Sequence, residues 1–168
     1  MKVVFKIDGT LWRTVQTDLD RSHHFAYERV GFMSCKPAEL DGGMLLLADA
    51  YHPVADDDYE DVPGYGAMMG PGAIRKALQI AYGSNVSMIH VHRHEHRGVP
   101  GFSRVDVREN AKFVPDFFKV RPKLPHGAVV VSHDAMTGEV WEPDSLRRRP
   151  IDELALVGRP SWFSWARK

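Results

Sequence analysis

Residues 85–94, NVSMIHVHRH, do more than any other stretch to limit what this chain can become. From Ile89 onward apolar and polar side chains alternate, the period of a β-strand rather than of a helix. Histidine stands at every second place: His90, His92, His94 and, just beyond, His96. Side chains two apart on a strand share a face, so His90 and His92, or His92 and His94, can aim two imidazoles at one point. Neutral imidazole is a good ligand for zinc and related metals, and a third ligand from elsewhere would leave a position open for water. A Gly/Pro loop follows, then Ser103 and Asp106 in the spacing Ser-x-x-Asp. In front of VRENAKF that spacing is also a helix capping box, with Ser103 at the N-cap and Asp106 at the third helical position. Each feature alone has a structural explanation, since histidines are common at strand ends. Crowded into residues 88–106, they point to a metal site.

The rest of the chain mixes strands and helices without regular βαβ alternation, which implies a mixed sheet with helices packed on it. VVFKI (3–7) reads as a strand that leads into a turn at Asp8-Gly9. Residues 17–33 begin as a helix or irregular segment and finish in an apolar run, and 42–54 reads as a mostly buried strand ended by Pro53. The acidic loop ADDDYEDVPGYG comes next and is read as solvated. Residues 70–83 carry the clearest helical pattern: Pro71 suits a first position, Ile74, Ala77, Leu78 and Ala81 share a face, and Gly83 closes it. Residues 127–143 read as a hairpin turning at Thr137-Gly138. Trp162 and Trp165 in the tail are expected to pack back on the domain.

Composition removes several classes of function. The 168 residues fit one domain with a real core. Lys+Arg and Asp+Glu both number 22, so no global basic field exists for nucleic acid or an anionic membrane. The run Arg147-Arg148-Arg149 is read as a solvated loop. With a single cysteine, Cys35, the chain has neither an internal disulfide framework nor a multi-cysteine zinc site. No apolar run is long enough for a signal peptide core or a membrane span, so a soluble, cytoplasmic protein is expected.

His-x-His, a Gly/Pro loop and Ser-x-x-Asp together resemble the motif of the JAB/MPN metalloproteases, also called JAMM. In that family an upstream Glu-x-x-Gly precedes an apolar run, and here ERVGFM (28–33) supplies Glu28 and Gly31 in the right order. Glu39 in PAELDGG is a second, less well placed candidate, and His24 is read as a neighbour of Glu28 and not a ligand. The resemblance spans roughly residues 24–140. It implies a single JAB/MPN-like domain over 1–168, of mixed α/β (α+β) class, with a curved mixed β-sheet flanked by helices. It also implies Zn2+ held by two histidines and Asp106, Glu28 as general acid/base and Ser103 beside the reacting oxygen. Two registers fit: His92/His94 with one extra loop residue relative to the motif, or His90/His92 with three. His92 belongs to both, and the proline that follows the second histidine in the family is missing.

What the resemblance implies for function is a zinc-dependent metalloprotease that cuts the C-terminal amide or isopeptide bond of a ubiquitin-like protein. A small stand-alone version is similar to the bacterial JAB proteins that accompany ubiquitin-like conjugation systems, including antiphage defence systems. Expected partners are a ubiquitin-like protein or its conjugates, and the activating and conjugating enzymes of such a system, with no nucleic acid and no membrane. The alternatives are a peptidase that trims sulfur-carrier tails, a non-catalytic MPN-like scaffold, and a histidine-rich metal binder in which neither Glu28 nor Asp106 matters.

Overall fold

Two neighbouring strands set the architecture. β2 (Val30–Leu40) and β4 (Ser87–Arg93) pair antiparallel, with Val30 opposite His92 and Phe32 opposite His90. Alternation then sends Val30, Phe32 and Met88 to one face of the sheet and Met33, Cys35, Ile89 and Val91 to the other, and both sets are buried. A sheet apolar on both faces needs a cover on each. α1 (Gly9–Leu19) covers the second face with Trp12, Val15 and Leu19. α2 (Pro71–Gly83) and α3 (Arg104–Phe113) cover the first, α2 through Ala73, Ala77 and Ala81, whose small side chains let the helix approach closely.

The computed structural model describes residues 1–158. The other strands are β1 (Lys2–Asp8), β3 (Gly43–Pro53), β5 (His126–Val131), β6 (Met136–Trp141), β7 (Arg148–Pro150) and β8 (Glu153–Val157). They form one eight-stranded sheet in the order β7-β6-β5-β4-β2-β3-β1-β8. Pairings β4·β5, β1·β3 and β1·β8 are parallel and the rest antiparallel, so the fold is mixed α/β. Among the described residues no helix is long and apolar enough to cross a membrane. Trp162 and Trp165 lie outside the described residues.

Several expectations need correcting. Asp8-Gly9 is not a turn but the start of α1: the Asp8 carboxylate accepts from the Thr10 and Leu11 N–H groups at 2.7 and 3.0 Å, an N-cap. The hairpin turns at residues 132–135, where the Ser132 hydroxyl accepts from the Ala135 N–H at 3.0 Å. Thr137 and Gly138 sit inside β6, opposite Val130 and Val129. Gly138 is required by packing, since a β-carbon there would lie 2.6 Å from Ile151 Cδ1. β3 is half-buried: Leu46 and Ala48 enter the core on the α1 side while Leu47 stays exposed. The acidic loop is pinned to its own chain, Asp56 by Arg29 at 2.7 Å and Asp58 by Lys76 at 2.5 Å. Of the arginine run, Arg148 and Arg149 form part of β7 and pair with Glu139 and Glu142.

Candidate metal centre

The histidines project from the sheet face that α2 and α3 cover, at the end where β4 runs out. The His94 N–H still bonds to the Val131 carbonyl at 2.9 Å, so the extended run and its alternation continue one residue past the strand. His92 and His94 therefore point the same way, His92 fully buried and His94 half-buried. The chain then reverses through Gly98, whose φ of 86° suits glycine. The β5–β6 turn pins this reversal: Asp134 accepts from the Gly98 N–H at 2.7 Å and the Ser132 hydroxyl donates to the Gly98 carbonyl at 2.7 Å.

The pinned loop delivers Ser103 to the N-terminus of α3. Its hydroxyl accepts from the Asp106 N–H at 3.1 Å, and Asp106 Oδ2 accepts from the Ser103 N–H at 2.6 Å. That is the capping box, and it aims the same Oδ2 at the histidines. His92 Nε2 lies 3.4 Å from it, His94 Nε2 lies 3.3 Å from it, and the two nitrogens are 3.3 Å apart. The capping box and a place in the His92–His94–Asp106 group thus coexist in Asp106.

These three separations are compatible with long hydrogen bonds and with a metal site. They are long for N–H···O hydrogen bonds, which cluster at about 2.9–3.0 Å. Donors at tetrahedral corners about 2.0–2.1 Å from a zinc ion stand about 3.3–3.4 Å apart. The triangle His92–His94–Asp106 has edges of that length, and its atoms form a group able to hold a metal ion. Two imidazoles and one carboxylate are also the donor chemistry zinc takes.

Charge is set accordingly. Burial pushes the Asp106 carboxyl up, but the hydrogen-bonding imidazoles of His92 and His94 outweigh it and hold the group well below the usual carboxylate range. His94 is raised, chiefly by its hydrogen bond to Asp106.

No family model matches the chain, and none of the curated proteins matches it. What the site can do is read from its own residues.

Glu28 enters by register. Val30 is paired with His92, and Glu28 stands two residues before it, just ahead of β2. It lines the same cavity as His92 and Asp106. Burial raises its carboxyl above the ordinary value, and His92 and His94 pull it part of the way back. Its N–H and that of Tyr27 both donate to the Gly66 carbonyl, at 3.0 and 2.8 Å.

His90 is placed differently from its two neighbours. It is buried between Phe32 and Phe113, with ring centroids 5.5 and 5.1 Å away, and stacks on His92 at 5.4 Å. Its nitrogens lie outside the three-atom group. Burial, and then His92, push it down to about 3. His96 is exposed and turns to the Arg97 carbonyl, at 2.9 Å. His24 stacks on His23, and Glu39 is exposed on β2 opposite Met44. Two residues beside the site went unread in sequence. Asn110 follows Asp106 by four positions on α3, a spacing that shares a helix face and was there to be used. Gly66, in contact with Glu28, had no sequence signal.

Proposed function

We propose that this chain is a zinc-dependent metallopeptidase or isopeptidase acting on the C-terminal amide or isopeptide bond of a ubiquitin-like protein. One observation carries the reading: two imidazole nitrogens and one carboxylate oxygen 3.3–3.4 Å apart, with the half-buried Glu28 lining the same cavity as His92 and Asp106. A zinc ion held there would supply Lewis acidity that draws the pKa of a coordinated water down to about 7.

The chain's own groups do the rest. Glu28 takes the proton that the attacking water loses and passes it to the departing amine nitrogen, and partial burial makes it a stronger base than a solvated glutamate. Asp106 contributes the one negative ligand, and the capping box fixes where that charge sits. The Ser103 oxygen accepts from the Asp106 N–H and keeps its own proton to donate to the substrate oxygen that becomes negative. Such a donor is typically worth about 2.7–4 kcal/mol of the barrier. The ubiquitin-like substrate rests on the resemblance of the motif.

The test pairs metal content with turnover. Elemental analysis of purified protein is expected to give about one zinc per chain, lost in Asp106→Ala. Glu28→Gln is expected to keep the zinc and lose hydrolysis of a ubiquitin-like conjugate. An intact rate in that variant sinks the mechanism, and zinc that persists without Asp106 favours a histidine-rich binder.

A further inference from the structure

Beside the three ligand atoms lies a cavity of about 140 Å3 whose wall includes Glu28, His92 and Asp106. Met69, Ile74, Val105 and Phe113 make its apolar side. Two polar residues line it as well, Asn110 and His90, only 1% and 5% exposed. Asn110 and His90 lie side by side, yet among the described residues neither Asn110 Nδ2 nor either ring nitrogen of His90 has a partner in hydrogen-bonding geometry. Burying such groups without partners is costly, and folded chains do it rarely. Both stand on the elements that carry the metal ligands: Asn110 is one helical turn after Asp106 on α3, and His90 is two residues before His92 on β4. The cavity is therefore held in fixed register with the reacting centre.

Size and polarity together limit the occupant. A cavity of about 150 Å3 holds a benzene-sized molecule, so one side chain of four or five heavy atoms fits here. An anion would meet Glu28, Asp106 and Glu109, and the one lysine on the wall, Lys112, is already paired with Glu109 at 2.9 Å. A cation would be drawn to the three carboxylates, but an ammonium or guanidinium group has no acceptor for Asn110 Nδ2. An aliphatic side chain would fill the volume and leave Asn110 and His90 unmet. A carboxamide matches both, because its carbonyl accepts from Asn110 Nδ2 while its NH2 and carbonyl suit the acceptor and donor of an imidazole.

We propose that this cavity is a side-chain subsite for a neutral carboxamide, glutamine or asparagine, in a residue flanking the bond that is cut. It rests on the hydrolase reading only in treating the occupant as substrate; the cavity's chemistry stands apart from it.

The test uses the full chain without added metal, titrated by NMR with N-acetylglutamine amide, N-acetylleucine amide and N-acetylglutamate amide. The glutamine probe is expected to bind at least about tenfold tighter than either other and to shift the Asn110 side-chain NH2 signals. Asn110→Leu, of similar shape, is expected to abolish or reverse that preference. Equal binding of the leucine probe, absence of binding, or unchanged preference in a folded Asn110→Leu variant overturns the proposal. The wild-type comparison decides even if the variant does not fold. Glutamine preference in a protein that holds no zinc and cuts nothing would keep the subsite and remove the hydrolase reading. Zinc and turnover without the preference would remove the subsite alone.

Discussion

A methyl group at position 66 should separate catalysis from folding. Gly66 touches Glu28: a β-carbon there would lie 2.6 Å from the carboxyl carbon and 2.7 Å from Oε2, where ordinary contact begins at 3.4 Å. In Gly66→Ala the carboxylate must therefore retreat by about 0.8 Å. Glu28 is long and can swing, and Gly66 is not among the glycines with positive φ, so the fold has no reason to suffer. The change in stability should stay within about 1 kcal/mol. The carboxylate, however, is the group assigned to move the proton, and misplacement by about 1 Å can cost about 100-fold in rate. Gly66→Ala is expected to lower kcat by about that factor, about 2.7 kcal/mol in barrier. KM should stay within a few-fold, and bound zinc and Tm close to wild type. The assay is steady-state hydrolysis of whichever ubiquitin-like conjugate the wild type cleaves, with elemental analysis on the same preparations. A kcat within twofold of wild type would refute the reasoning, because the position of Glu28 would then be immaterial. Loss of zinc with the rate would refute it differently, by placing the effect of Gly66 on the ligands.

Asp106→Asn keeps an oxygen for the Ser103 N–H but loses the charge, so zinc should be lost and metal-free stability should fall, because a carboxylate held below its ordinary range stabilises the fold; Asp106→Ala should lose the cap as well and fall further. Urea unfolding of metal-free protein separates the two variants. Ser103→Ala should cost about 1 kcal/mol in the same assay, the usual value of a lost N-cap, and Ser103→Thr should restore most of it. An unchanged midpoint for Ser103→Ala would mean the capping box contributes nothing to α3. His126 gives a pH signature away from the site: buried, it accepts from the Met88 N–H at Nδ1 and faces the Arg121 carbonyl through Nε2, and burial pushes it down to about 4 from 6.5. Its folded pKa is the lower one, so its stabilisation is complete above about pH 6.5 and lost as pH falls toward 4, on the order of 3 kcal/mol. His126→Gln, which offers the same acceptor and donor, should flatten that part of the stability–pH curve; an identical slope in the variant would show that another group titrates.

Legibility followed how local the determining forces were. α2 could be read because everything that makes it a helix lies within it: Pro71 at its first turn, then an apolar stripe from Ala73 to Ala81. α1 was missed because Gly9, Thr10, Thr14, Val15 and Thr17 are poor helix formers and only Trp12, Val15 and Leu19 are buried. Its helicity is settled by the core those three enter, with Asp8 as the one local signal. The β5–β6 turn was misplaced for a related reason. Thr-Gly resembles a turn, but Gly138 is there because Ile151 and Val129 leave no room for a side chain. A glycine demanded by a distant residue cannot be told from a turn glycine by its neighbours.

The site divides along the same line. That some pair among His90, His92 and His94 shares a face follows from strand alternation alone, but alternation treats all such pairs as equal. They are separated by where α3 begins, and that is set by a loop anchored on Asp134 and Ser132, some thirty residues further along the chain. Phe32 and Phe113 close over His90, while His94, past the end of β4, stays within reach of Asp106. The choice between capping box and metal ligand dissolves for a physical reason. A helix N-terminus favours a carboxylate, and the bond from the Ser103 N–H immobilises it. A ligand held still before the ion arrives loses less freedom on binding than one on a mobile loop. On the proposed zinc reading the cap is what readies Asp106 as a ligand, so a variant that keeps its charge but frees its rotamer should bind zinc more weakly.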